Sequence, residues 1–340
     1  MDVKDRYKQD LSYISKYIGQ DECLVQAGGG NTSIKLDDCR MLVKSSGVEL
    51  SAVTENFGFS VVDYCKIREN LKKDVCDESF LDESLIEGAR PSIETFLHSL
   101  TGKYTIHSHP LSVTILACQV DGMEILARLF PDAICVDYAK PGLDLAKLFL
   151  HALKKKPAAS VFFLKNHGVI VCANTKEDVL KKHDDVISKL CEYLKVSRKA
   201  SAVAKRLFDG FQSYDNGLIA YYLEKINVQD LLLSNGKSSF MFSPDCIVYC
   251  GVEFFVVKSL DSLKDEIDEF MKQYGMPKIA IVNDMVFAIA QSVRKAKEIE
   301  SVVGLIAKIN QRKIENVDYL TKEEALKLIN WDAEKYRYSL

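Results

Sequence analysis

The 340 residues carry 47% hydrophobic and 27% charged side chains, the profile of a globular chain long enough for two ordinary domains with buried cores. The 45 basic residues nearly balance 48 acidic ones, so a net charge of -3 gives no signature of a nucleic-acid or membrane-surface partner. The N-terminal residues MDVKD lack the apolar core of a secretion signal. The most apolar stretch, Ile279 to Ala290, is short and broken by Asn283 and Asp284, so no membrane span is expected.

Residues 4–18 have helical apolar spacing, and a glycine-rich turn follows at Gly28-Gly29-Gly30-Asn31-Thr32-Ser33. SIKL and RMLVKSS read as strands. Residues 92–100 read as a helix entered through Pro91, because proline suits a helix's first turn. YTIHSHP alternates like a strand, and LSVTILACQV continues as an apolar, strand-like element. SVFFLKNHGVIVCA reads as two short strands around a turn at Asn166-His167-Gly168, and residues 176–210 as one charged helix. Beyond residue 212 the texture changes. DCIVYCG, FFVVKS and PKIAIVND look like strands, and residues 261–274 and 286–312 like helices. The first domain is therefore placed at 1–211 and a small α/β domain at 212–340.

Ten cysteines are scattered without a CxxC pair, several of them in apolar runs, as expected of reduced and mostly buried thiols in a cytoplasmic protein. Cys246 and Cys250 form a CxxxC pair with no further ligand nearby in sequence. The basic cluster Lys195, Arg198, Lys199, Lys205 and Arg206 lacks interleaved aromatics and reads as a solvated face.

Three of the six histidines fall in two compact motifs. His107 and His109 are two apart on a strand, where such side chains share a face, so both imidazoles can meet one metal. His167, in a turn at a strand end, can deliver a third ligand and leave open coordination positions, the arrangement of a catalytic metal. The alternative is that each histidine caps a strand or fills a polar gap. Glu94 and His98 lie one helical turn apart just upstream. A carboxylate beside a Lewis acid is what proton transfer next to a carbonyl requires, whereas an exposed i,i+4 pair would need no such partner. AGGGNTS is neither a Walker loop nor a dinucleotide fingerprint, since neither GK[ST] nor G-x-G-x-x-G is present. Its backbone N–H groups and those of Lys44-Ser45-Ser46-Gly47 could together cradle one phosphate.

In this order, AGGGNTS with VKSSG, RPSIETFLH, TIHSHP, VDYAKPGLDLA and LKNHGVIV resemble the class II aldolase/adducin family over residues 5 to 200. The resemblance implies an α/β fold with a central β-sheet between helical layers, assembled as a homo-oligomer, usually a tetramer. It implies a divalent metal, zinc first, on His107, His109 and His167. Glu94 becomes the catalytic carboxylate, and Gly30, Asn31, Ser46, Gly47 and Ser92 the phosphate-binding positions. Residues 240–340, with SPDCIVYCG, PKIAIV and WDAEKYR, resemble the tail that follows the aldolase module in bacterial rhamnulose-phosphate aldolase/dehydrogenase proteins. Two departures stand out. Ile93 occupies the place of a second phosphate-binding serine in fuculose-phosphate-type aldolases, and NDMVFAIA lacks the glycine a nucleotide turn would need, so the tail domain reads as structural.

The activity implied is cleavage of a ketose phosphate to dihydroxyacetone phosphate and a short aldehyde through a metal-stabilised enediolate. Glu94, its pKa raised by a partly desolvated site, would move the proton. The alternatives are a decarboxylase or epimerase of a sugar-acid or pentulose phosphate, and a non-catalytic adducin-like binding module. Glutamate at position 94 favours aldol chemistry over epimerisation, because pentulose-phosphate epimerases of this family tend to carry aspartate there.

Overall fold

The computed structural model describes residues 3–73, 77–232, 240–314 and 317–331. The chain divides into two compact units, Met1–Arg198 and Lys199–Leu340.

The first unit runs α1 (Val3–Gly19), β1 (Asn31–Lys35), β2 (Arg40–Lys44), β3 (Phe59–Asp63), α2 (Tyr64–Lys72), β4 (Leu85–Gly88), α3 (Thr95–Leu100) and β5 (Tyr104–Ser108). It continues through α4 (Leu111–Ala117), α5 (Gly122–Leu129), β6 (Ile134–Val136), α6 (Leu143–Lys155), β7 (Val161–Leu164), β8 (Gly168–Ala173) and α7 (Lys176–Leu194). The strands form one sheet in the order β4-β3-β2-β1-β5-β8-β7-β6, antiparallel except between β6 and β7.

Both faces of that sheet are covered, and strand alternation assigns each side chain to one of them. Leu42, Ile106, Phe163, Val169 and Val171 pack with Leu11 and Ile14 of α1, Leu116 of α4 and Leu190 of α7. Their neighbours Met41, Val43, Phe162, Leu164 and Ile170 pack on the opposite face with Ile67 of α2, Phe96 of α3 and Phe149 of α6. A central sheet between helical layers is therefore the observed architecture, as expected.

The second unit contains α8 (Lys199–Phe211), β9 (Ile219–Tyr222), α9 (Pro244–Cys250), β10 (Phe255–Val257), α10 (Leu263–Tyr274), β11 (Ile279–Val282), β12 (Met285–Ala290), α11 (Val293–Gln311) and α12 (Lys322–Asn330). Its sheet runs β10-β11-β12-β9. Val203, Leu207 and Phe211 of α8 share a core with Ala280, Val282, Phe287 and Ile289.

Several expectations need correction. LSVTILACQV is helical from Leu111 to Ala117, because Pro110 opens the turn and Val113, Leu116 and Ala117 bury one face. DCIVYCG is helical as well. Ser243 and Pro244 begin α9, which buries Cys246, Ile247 and Cys250. Residues 286–312 are a strand and then a helix. Asn283, with φ 55°, turns β11 back into β12, and the Ser292 side chain caps α11 at the Lys295 N–H.

The single helix expected over 176–210 is two helices. Lys195 takes the left-handed conformation (φ 55°, ψ 37°), and the Val196 N–H returns to the Cys191 carbonyl at 2.8 Å, a Schellman-type end. The division between units consequently falls at Arg198/Lys199 rather than 211/212, since α8 packs in the second core.

The cysteines also differ from the reading of reduced, buried thiols. Arg40 pairs with Asp63 across β2 and β3, which brings the flanking Cys39 and Cys65 together as a disulfide with Cα atoms 4.9 Å apart. Cys172, Cys191, Cys246 and Cys250 are buried and free, whereas Cys23 and Cys118 are exposed, and Cys76 lies outside the described residues. In the basic cluster, Arg198 pairs with Asp184, Lys199 with Asp284 and Arg206 with Asp261, while Lys205 is buried. The WDAEKYR stretch beyond Trp331 is likewise outside the described residues. No helix among those described is long and apolar enough to cross a membrane.

Lys195 occupies a position where glycine carries no steric penalty, so Lys195→Gly is expected to stabilise the protein by about 1 kcal/mol in urea unfolding. A decrease in stability would show that the lysine side chain, not the backbone turn, secures this helix end.

Candidate functional site

The site forms where β5 is held between β1 and β8. Asn31 lies opposite His107 in one pairing, and His107 lies opposite Ile170 in the other. Alternation along β5 sends His107 towards α3 and Ser108 to the far face, where its hydroxyl meets His183 Nε2 of α7 at 2.7 Å. His109 follows the strand, with its backbone N–H donating to the Leu24 carbonyl at 2.9 Å. His167 sits in the turn between β7 and β8, after Asn166 at φ 55°. Asparagine tolerates that left-handed backbone better than most residues.

The glycines around these histidines are explained by contact. A Cβ on Gly29 would lie 2.9 Å from His109 Nδ1. One on Gly168 would lie 2.8 Å from His109 Cδ2 and 2.3 Å from the Ser108 carbonyl oxygen. The imidazole of His109 thus rests directly on two backbones.

All three imidazoles and one carboxylate converge. His107 Nε2 and His109 Nε2 are 3.0 Å apart, and Glu94 Oε1 lies 3.1 Å from His107 Nε2 and 3.0 Å from His167 Nε2. The potential ligand atoms of Glu94, His107, His109 and His167 all fall within 4.8 Å of one another. His107 Nδ1 is 3.1 Å from the Val169 carbonyl, which can only accept, so the ring proton sits on Nδ1 and the Nε2 lone pair faces the cluster. Nitrogen lone pairs and a carboxylate so close together repel unless a cation lies among them. The donor set therefore fits a divalent metal: the three imidazoles would hold it, with the Glu94 carboxylate near enough to join them.

Electrostatics within the cluster are strong. Burial pushes the Glu94 carboxyl up, but the adjacent His107 and His167 imidazoles outweigh it and hold the group well below the usual carboxylate range. This corrects the expectation of a raised pKa, which considered desolvation without the imidazoles. Burial lowers His107, yet Glu94 beside it wins and leaves it raised. Burial, helped by His107 and His167, pulls His109 down to about 3.

Of the expected phosphate positions, Asn31 faces the cluster. Its side-chain amide donates to Glu94 Oε2. Gly30, at φ +73°, is closed in by Val25, Leu50 and the His107 carbonyl. Ser46 and Ser92 are brought together, because Ser46 N–H donates to the Arg90 carbonyl at 2.9 Å and Ser92 N–H to the Lys44 carbonyl at 3.4 Å. Gly47, at φ +75°, has open space where a side chain would project. Ile93 instead packs against the apolar core beside α3.

The sequence reading used Lys44 only as part of the second phosphate-cradling turn; the role of its side chain was missed, and that side chain is buried. Its ammonium donates to the carbonyls of Val48 at 2.5 Å and of Gly28 and Ser45 at 3.4 Å, tying the two glycine turns together. Burial lowers it to about 8 against the opposing pull of Glu94. His183 was missed for a different reason. Its partner Ser108 is remote in sequence, and only the alternation of β5 hints that the residue between two ligands must be anchored on the opposite face.

Substituting Gly168→Ala should displace His109 and the Ser108 backbone together. Metal binding is expected to weaken by roughly 10- to 100-fold, the scale of disturbing a ligand's support, as read by calorimetric titration. Wild-type affinity in this variant would mean that the His109 ring is not held where the geometry places it.

Residues 9–193 match the class II aldolase and adducin N-terminal domain. The uncharacterized oxidoreductase YuxG of Bacillus subtilis (strain 168) is 31% identical over 202 residues, 55% of this chain but only 29% of that protein, so the chain spans under a third of that relative. The N-terminal class II aldolase domain of a conserved protein from Thermoplasma acidophilum is 26% identical with a TM-score of 0.50, covering 54% of this chain and 92% of that one. A sugar-phosphate aldolase from Thermotoga maritima is 14% identical with a TM-score of 0.44, covering 56% of this chain and 94% of its own. With the family matched over more than half its length and the family's fold in its first unit, this chain belongs to the class II aldolase/adducin family.

Proposed function

We propose that the protein is a metal-dependent aldolase that cleaves a ketose phosphate to dihydroxyacetone phosphate and a short aldehyde. The observation carrying this reading is Glu94 Oε1 at 3.1 and 3.0 Å from the Nε2 atoms of His107 and His167, a proton-transfer group against a three-imidazole cluster. A divalent ion bound there, with zinc suited to three imidazoles, would supply Lewis-acid polarisation of the substrate carbonyl and hold the electron pair left by carbon–carbon cleavage.

The chain's own residues do the rest. The Val169 carbonyl keeps a ring proton of His107 on Nδ1, so Nε2 is the atom it offers to an ion. In cleavage the hydroxyl of the departing aldehyde gives up its proton and the carbon next to the ketone carbonyl gains one. Glu94, whose pKa lies well below the usual carboxylate range, moves that carbon-bound proton, delivering it in cleavage and accepting it from dihydroxyacetone phosphate in the reverse direction. The Asn31 amide occupies Oε2, so Oε1 remains the oxygen directed at the cluster. Ser46, Ser92 and the open turn at Gly47 stand together as a place for the substrate phosphate, with the Lys44 ammonium behind them. With Ile93 in place of a serine, the cradle rests on the Ser46 and Ser92 hydroxyls and the Gly47 turn, since the Ser46 and Ser92 N–H groups already serve the Arg90 and Lys44 carbonyls.

The decisive measurement is hydrogen exchange from solvent into dihydroxyacetone phosphate, which needs no knowledge of the aldehyde. Wild type should catalyse it. Glu94→Gln keeps size and polarity but cannot accept a proton, so exchange should fall by roughly 10²- to 10⁴-fold. Wild-type exchange in the variant would place the base elsewhere. No exchange in wild type would instead favour decarboxylation of a sugar-acid phosphate at the same cluster.

A further inference from the structure

Helix α3 meets β1 through polar side chains at a depth where apolar contacts are the rule. Asn31, Ser33 and Lys35 alternate along β1 onto the face towards α3. Each has a partner there. The Asn31 amide donates to Glu94, the Ser33 hydroxyl lies 2.7 Å from His98 Nδ1, and the Lys35 ammonium donates to the Thr101 carbonyl. Period two on the strand and roughly one turn on the helix keep the successive rungs in step. Only the first rung contains a residue of the candidate metal cluster.

The middle rung is the informative one. His98 is completely buried, and its Nε2 has no hydrogen-bond partner among the described residues. Leaving a buried polar atom unmet is unfavourable, so an apolar residue would serve better if simple docking were all that was required. Docking is already provided for: Phe96 and Leu97 of the same helix are fully buried in the apolar core. What the His98–Ser33 bond adds is direction. It fixes how far α3 is rotated and how high it sits on β1. Helix α3 has only six residues, and Glu94 is its N-cap, joined to the next turn by the His98 N–H to Glu94 carbonyl bond at 3.2 Å. A displacement at His98 therefore reaches Glu94 within one turn.

We propose that His98, acting through Ser33, is a positioning residue that holds the Glu94 carboxylate within reach of His107 and His167. The proposal rests on reading the cluster as a metal centre. Neither His98 nor Ser33 touches the cluster atoms in its own right. Their effect is on where Glu94 points.

The test uses the full-length protein loaded with cobalt(II), whose visible bands report the number and arrangement of ligands. Ser33→Ala and His98→Leu should each weaken cobalt affinity by roughly 10- to 100-fold and alter the visible spectrum, the scale seen when a supporting partner is lost. The double variant should be no worse than the more affected single variant, because both remove one bond. His98→Asn places a side-chain amide about where Nδ1 lies, and it should restore the wild-type spectrum. Ser33→Ala is the smaller change and keeps the test open if His98→Leu fails to fold, as judged by circular dichroism. A wild-type spectrum and affinity in folded Ser33→Ala, with only thermal stability reduced, would overturn the proposal and leave the bond a purely structural one. Failure of wild type itself to take up cobalt would overturn the metal-centre reading, and the proposal with it, before any variant is made.

Discussion

The seating of β5 between β1 and β8 is the constraint on which the rest of the site depends. Asn31 opposite His107, and His107 opposite Ile170, fix three distant stretches of chain at one height. A one-residue slip in either pairing would turn His107 to the far face and Ser108 towards α3, dispersing the cluster in a single step. The register is protected from the face opposite the cluster. Ile106 is buried in the apolar core there, and Ser108, two residues on, is bonded to His183 of α7. The polar residue between two candidate ligands is thus part of what keeps those ligands aligned.

Side-chain chemistry and period-two geometry made much of this site legible in advance. His107 and His109 share a face because the strand rule is local, and His167 is delivered by a turn whose Asn-His-Gly composition is also local. The charge state of Glu94 was less accessible. Burial alone argues for a raised pKa, and the opposite direction emerges only when two imidazoles from other strands are seen beside it. Lys44 illustrates the same limit. Nothing near this lysine in sequence announces that three carbonyl oxygens will surround its ammonium.

The fold shows a parallel division. The large sheet between helical layers was implied by the family resemblance, whereas helix limits were set by backbone details that composition conceals. The break after α7 falls at a lysine in a left-handed conformation, where a glycine would have been the visible signal. Short apolar segments such as LSVTILA and PDCIVYC carry β-branched residues that favour strands, yet both begin at a proline-marked turn and bury one helical face. Tertiary burial overrode local preference in both cases.

The ammonium of Lys44 has a consequence for how the mouth of the site behaves. It is committed to carbonyls from both glycine turns, and withdrawing it would break all three bonds and leave the Ser45 carbonyl without it in a buried place. The residue is therefore a keystone rather than a tether: the two turns cannot part without breaking its bonds, so the spacing between Gly28 and Val48 is set by the fold itself.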